Sequence, residues 1–235
     1  MFSEAQKERL NKLAARCGDV AHRAFDLWIR TLRWKANDFW IGLPEGTVVA
    51  TGLQVEIREK DTPNRLWTGG DELITVYLEK VVTTKVWDDV SAALLSGLEP
   101  PIFYDLLYDA MAHLVVRGDL KRAVVDAAVA AETYMRTIVQ EGFPDGLDEP
   151  FQTYINEANI SQVISKFFPT HLDGQQSRTY KALKPDLHKL FNARNGIMHY
   201  GRKGGLTAQK CQRFIHRVRD LLELVPHEGI IRVPN

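Results

Sequence analysis

Cysteine is scarce: the 235-residue chain has two, Cys17 and Cys211, near opposite ends and in no CxxC or Cys/His spacing. Neither a disulfide framework nor a cysteine-based zinc site is written here, and a reducing, cytoplasmic setting is the simplest one. An excess of one charge is lacking too. Lys plus Arg and Asp plus Glu number 30 each, so the net charge is zero and the composition as a whole points to no nucleic-acid or membrane partner. Long apolar runs are missing: the most apolar stretch, residues 123–131, is interrupted by Asp126, and the first residues are charged where a signal peptide would be apolar. Secretion and membrane insertion are therefore not expected. Gly-x-Ser-x-Gly, His-Glu-x-x-His and Gly-x-Gly-x-x-Gly are absent, which leaves serine-hydrolase, zincin and dinucleotide-binding readings without support. What remains is 45% hydrophobic and 26% charged with five Trp, the make-up of a folded protein of one large domain or two small ones.

Hydrophobic periodicity divides the chain. A capping box at Ser3-x-x-Gln6, with Leu10, Leu13 and Ala14 at helical spacing, predicts a first helix that stops at Gly18. Beyond about residue 25, Trp, Val, Thr and Ile become dense and period two appears. Residues 47–50, 53–58 and 73–78 read as strands, with turns at 44–46, 61–64 and Gly69-Gly70-Asp71, so a small antiparallel β-rich domain with flanking helices is expected over residues 1–98. Residues 24–35 stay ambiguous. Phe25, Leu27 and Ile29 alternate, yet Phe25, Trp28, Ile29 and Leu32 also fit a helix. At Glu99-Pro100-Pro101 the pattern turns helical, and residues 101–228 read as an all-α bundle of five helices, for an α+β chain overall. The expected helices are 102–116, 120–140, 151–168, 185–199 and one capped by Thr207 that runs to Val225.

Net zero conceals an asymmetry. Residues 178–219 hold eleven basic residues against one acid, Asp186, a local charge of +10. Such a run often does no more than decorate solvated helix faces, balanced by acids elsewhere such as Asp145, Asp148 and Glu149. Within it lies Leu190-Phe191-Asn192-Ala193-Arg194-Asn195-Gly196-Ile197-Met198-His199-Tyr200-Gly201. An always-charged fork, an amide and an imidazole fall within six residues, beside glycines that let backbone approach a ligand.

Arg194-Asn195-x-x-x-His199 resembles the R-x4-6-H signature of the HEPN superfamily of helical-bundle proteins, and the Leu-Phe-x-x-Arg-Asn-x-x-x-His-x-Gly context with an upstream Ala-rich helix carrying Glu132 is similar to Apea-like prokaryotic members. The resemblance covers about residues 101–225. It implies a metal-independent endoribonuclease that needs no cofactor, acts as a homodimer and leaves a 2',3'-cyclic phosphate and a 5'-hydroxyl. The resemblance also suggests a toxin or antiviral defence effector that damages RNA, with its activity expected to be restrained by an inhibitory partner protein or by the N-terminal domain.

The chemistry of the residues agrees with this. A ribose 2'-hydroxyl can attack its own phosphodiester without metal if one group removes the hydroxyl proton, another protonates the leaving 5'-oxygen, and a cation holds the phosphorane charge. Arg194 suits the last task, His199 the proton transfers, and Asn195, on the same helix face as His199, can orient the phosphate or the ring. One chain offers one such His, so a two-fold dimer would supply both acid and base. Glu132 and Tyr200 are candidates for positioning these groups, although Glu132 is equally an i,i+4 partner of Arg136. Lys189, Arg202, Lys203 and Lys210 are candidates for holding RNA. His188 and His199 share a face but lie about 16 Å apart along a helix, too far for a shared metal. Two readings stay open: a ribonuclease, or a non-catalytic HEPN module that binds a nucleotide, RNA or a protein. The motif also fits a plain helix C-terminus, with Gly201 as cap.

Overall fold

A computed structural model describes residues 4–37, 47–58, 65–78, 83–142, 153–155, 157–201, 205–227 and 229–231. The chain forms two compact units, one of Met1–Glu99 with Ile231–Asn235 and one of Pro100–Ile230.

The first unit is not the expected β-rich domain. It is dominated by helix α1 (Glu4–Ala36), 33 residues long, against which α2 (Thr84–Leu95) packs. Its long strands, β1 (Thr47–Arg58) and β2 (Arg65–Leu78), form only a two-stranded antiparallel ribbon, too little sheet to enclose a core. Three local signals mislead. Gly18 does not end α1, because one glycine weakens a helix without stopping it. Residues 24–35 resolve as helix, since Phe25, Trp28, Ile29, Leu32 and Ala36 then share a face that closes on Val86, Val90 and Leu94 of α2, with Trp28 stacked on Trp87 at 5.6 Å. Gly69-Gly70-Asp71 is no turn. It lies inside β2, where the register slips between the Leu53–Glu72 and Val55–Gly69 pairs, a bulge that the glycines accommodate. The expected turns at 44–46 and 61–64, and the Ser3 cap, lie outside the described residues.

Apart from its chain neighbours and the helix's own backbone, nothing lies within 4 Å of where a Cβ would stand on Gly18. Gly18→Ala is therefore expected to stabilise the first unit by ~0.5–1 kcal/mol, seen as a higher unfolding midpoint. A lower midpoint would contradict an unbroken α1.

The second unit is helical. Pro101 opens α3 (Ile102–Val115), and Asp119 caps α4 (Leu120–Glu141) by accepting the Lys121 and Arg122 N–H groups, each at 3.1 Å. That capping, led by the Arg122 hydrogen bond, outweighs a small burial effect and lowers the Asp119 carboxyl below its ordinary range. In place of one helix over 151–168 there is a broken segment: an α turn (Ile160–Gln162), a π turn (Val163–Phe167) and a 3-10 turn (Phe168–His171). Next comes α5 (Gly174–Tyr200), which begins eleven residues before the expected start at Pro185 and carries that proline in its interior. Thr207 caps α6 (Ala208–Leu222) as its type and spacing predict.

Helix α4 packs against α3, α5 and α6. Its Ala123, Ala127, Ala130 and Ala131 are fully buried, and their small side chains allow the close approach. Around them runs an aromatic chain, Phe103 to Tyr134 (5.3 Å), Tyr134 to Phe168 (5.8 Å) and Phe168 to Tyr180 (5.1 Å). Both buried tyrosines find polar partners. The Tyr134 hydroxyl donates to the Val225 carbonyl at 3.0 Å and accepts its N–H at 3.1 Å, and the Tyr180 hydroxyl donates to the Ile164 carbonyl at 2.9 Å. Cys211 is buried as well, its thiol pushed up chiefly by desolvation, which makes it core filling and a poor nucleophile.

Candidate active site

Everything the motif needs is carried by α5. Asp173 starts it with a capping box, accepting the Gln176 N–H at 2.8 Å while Gln176 Oε1 accepts the Asp173 N–H at 2.8 Å. The helix ends at Gly201, whose φ of 60° is the left-handed conformation that glycine adopts freely, and whose N–H donates to the Ile197 carbonyl at 2.9 Å. Lys121 at the start of α4 donates its Nζ to the Gly201 carbonyl at 2.8 Å, setting a positive charge at the negative end of the α5 dipole.

Arg194, Asn195 and His199 occupy the last two turns. The Arg194 side chain is 30% exposed and turns toward α4: Nη1 donates to Asn195 Oδ1 at 3.1 Å, and Nη2 lies 3.9 Å from Glu132 Oε2. The other Glu132 oxygen accepts from Arg136 Nε at 3.1 Å and Nη2 at 2.8 Å. Arg136 also donates to two backbone carbonyls, Ile155 at 2.7 Å and Ala158 at 2.9 Å. Arg194 is thus the outer member of a charge-assisted relay anchored in the main chain. Glu132 serves both as i,i+4 partner of Arg136 and as neighbour of Arg194.

His199 is exposed, its ring edge-on to Tyr200 with centroids 6.2 Å apart. Met198 and Tyr200 on either side of it are 61% and 71% exposed. Ideal helix geometry places Asn195 and His199 about 40° apart, on one face, but Arg194 and His199 about 140° apart. In a single chain the guanidinium faces α4 and the imidazole faces solvent.

Residues 178–219 do not act as one positive surface. Asp186, 5% exposed, draws in Arg213 through paired hydrogen bonds of 2.8 to 3.1 Å, Arg217 at 3.3 Å and Lys189 at 3.6 Å. Asp220, one residue beyond the run, pairs with Arg217 at 3.1 Å and Arg219 at 3.3 Å. Lys189 is therefore paired with a carboxylate while its side chain stays 64% exposed. Lys210 is exposed on the first turn of α6, and Arg202 and Lys203 lie outside the described residues. The Asp186–Arg213 pair spans 27 residues, so no local spacing rule reveals it. Nor does one reveal the Lys121–Gly201 contact or the two carbonyls under Arg136.

Burial raises the Asp186 carboxyl, but the hydrogen bonds and charge of Arg213, followed by Arg217 and Lys189, outweigh it and hold the group below the ordinary carboxylate range. The folded state favours the ionised form. Its stabilisation is complete above the unfolded value of about 3.9 and is lost as pH falls through the lower folded value. Asp186→Asn is expected to lower the thermal midpoint at pH 7 and to flatten its fall below about pH 4. A wild-type acid limb in the variant would remove Asp186 as its source.

Among the described residues no group of three or more His, Cys, Asp or Glu is placed to hold a metal ion, and no helix is long and apolar enough to cross a membrane. Compared with known proteins, the chain matches no protein-family model, no curated sequence and no solved structure.

Proposed function

We propose that the chain is a metal-independent endoribonuclease of HEPN type, working in the cytoplasm as a homodimer. The observation that carries this reading is the last two turns of α5, where Arg194 is braced by Glu132 and Asn195 while His199 stands exposed at the helix end. A braced guanidinium keeps its fork pre-organised for phosphoryl oxygens, and an exposed imidazole is free to exchange protons.

In the proposed reaction one His199 takes the proton of the ribose 2'-hydroxyl. The 2'-oxygen bonds to phosphorus, the bond from phosphorus to the 5'-oxygen breaks, and a second His199 delivers a proton to that leaving oxygen. Arg194 holds the equatorial oxygens as charge builds, and Asn195 orients the phosphate. Because His199 and Arg194 of one chain diverge by about 140°, apposing two α5 ends is the simple way to bring two imidazoles and a guanidinium to one phosphate. The exposed Met198 and Tyr200 beside His199 supply apolar area for that apposition. An RNA-damaging toxin or antiviral effector, restrained by an inhibitory partner, is the biological role this chemistry suits.

The test is incubation of purified protein with labelled RNA in EDTA. Products ending in 2',3'-cyclic phosphate and 5'-hydroxyl, lost in Arg194→Ala, support the enzyme. Intact RNA, or cleavage that requires added metal, points instead to a HEPN module that binds without cutting.

A further inference from the structure

Folding divides the positive charge of residues 178–219 between two flanks of α5 with unequal fates. Toward α6, Asp186 and Asp220 take up Lys189, Arg213, Arg217 and Arg219. On the other flank, Arg178, Lys181, Lys184, His188, Asn192 and His199 follow one another at spacings of three, four or seven residues. At 100° per residue these fall within about 120° of arc, a single ridge roughly 30 Å long. Arg178, Lys181, Asn192 and His199 are exposed, and Lys184 and His188 are half-buried. Asp186, the only acid within α5, lies about 140° from the centre of this ridge. Among the described residues, no side-chain hydrogen bond or ion pair engages Arg178, Lys181, Lys184, His188 or Asn192. On one flank the cations are paired with the protein's own carboxylates, and the other keeps its donors for something else.

We propose that this ridge is a track for single-stranded RNA that leads along α5 to His199 and so into the composite site. The inference rests on the ribonuclease reading and adds to it the path by which substrate arrives. The row carries hydrogen-bond donors and cations at its far end and ends at the imidazole proposed to do the chemistry. A backbone with a phosphate on every nucleotide is complementary to such a row along its length. Aromatic side chains are missing from the ridge, so bases are not stacked and contacts go to phosphate and sugar. Binding along the track should therefore be tolerant of sequence and steeply dependent on salt. An acidic protein segment is the competing occupant, favoured if wild type does not bind the RNA.

The probe is a fluorescein-labelled single-stranded oligoribonucleotide with 2'-O-methyl groups, which the proposed chemistry cannot cut, so binding is read apart from cleavage. Anisotropy titrations over a series of salt concentrations compare wild type with Lys181→Gln/Lys184→Gln, with Arg178→Gln, and with Lys189→Gln as the control whose ammonium is paired with Asp186. The log–log salt slope is expected to fall by about 0.7 for each ridge cation removed, and affinity in low salt to fall roughly tenfold in the double variant. Lys189→Gln should stay within about twofold of wild type. Equal losses in Lys189→Gln, an unchanged slope in the ridge variants, or no binding by wild type would each overturn the track. Thermal midpoints of the variants identify any loss due to unfolding, and Arg178→Gln, fully on the surface, then decides alone. The ribonuclease reading is judged separately on unmodified RNA. Cleavage that is intact while the ridge variants bind normally sinks the track and spares the enzyme; tight ridge-dependent binding without cleavage does the reverse.

Discussion

Replacing His199 by alanine is expected to lower RNA cleavage by about 10²- to 10⁴-fold while leaving the unfolding midpoint unchanged. The size follows from general acid–base catalysis, since in a composite site the substitution removes both the base that takes the 2'-hydroxyl proton and the acid that protonates the 5'-oxygen. The unchanged midpoint follows from exposure: His199 lies on the last turn of α5, in ring contact with Tyr200 and away from the buried core. Cleavage rates in EDTA and a thermal melt of the same preparation check both halves. Arg194→Ala should lose about 10²- to 10³-fold, because one preorganised cation at the developing charge is worth that much. Cleavage that survives His199→Ala would remove the imidazole from the chemistry. A mixed dimer of wild-type and His199→Ala chains should retain little activity, because each composite site then lacks either its acid or its base.

Arg136→Ala is expected to destabilise the second unit by about 3 kcal/mol, the largest stability effect among the residues around the site. Its guanidinium, 19% exposed, donates to the Ile155 and Ala158 carbonyls and twice to Glu132. Ile155 and Ala158 are buried, so truncation leaves two carbonyls and part of a carboxylate without donors, at about 1–3 kcal/mol for each unmet group and less than additively. Arg136→Lys keeps the charge but cannot reach three acceptors with one planar fork, and should recover less than half of the loss. Chemical denaturation monitored by circular dichroism measures both. A cost below about 1 kcal/mol for Arg136→Ala would show that these carbonyls find other donors. The same substitution frees Glu132 to swing fully toward Arg194, so cleavage measured well below the midpoint should change by less than it does in Arg194→Ala.

Some contacts between residues three or four positions apart were legible in the sequence, although the Asp173–Gln176 capping box that starts α5 was not. Asp119 and Thr207 cap α4 and α6, and Glu132 meets Arg136 one turn on. Gly201 closes α5 because only a left-handed residue ends a helix there without strain. Local signals failed where their meaning depends on what lies across the fold. Gly18, Gly69-Gly70 and Pro185 are ordinary punctuation, yet all three are absorbed inside regular elements. For residues 24–35 the tie between two periods was broken by Val86 and Val90, which reward the helical face and leave an alternating one unburied.

By itself the sequence determined the residue types of the candidate site and their order along one helix, because Arg194, Asn195 and His199 lie within two turns and helix geometry does the rest. It also determined the +10 total of residues 178–219. Which of those charges face outward unopposed was decided only by tertiary structure. Asp186 reaches across 27 residues to Arg213, and Asp220 reaches back to Arg217 and Arg219, so the cations of one flank are paired and those of the other are not. A buried carboxylate must recruit whatever cations packing brings within reach, and those neighbours are set by how α5 and α6 meet. The brace under Arg194 has the same origin: α4 brings Glu132 to it, and the main chain at Ile155 and Ala158 holds Arg136 in place behind.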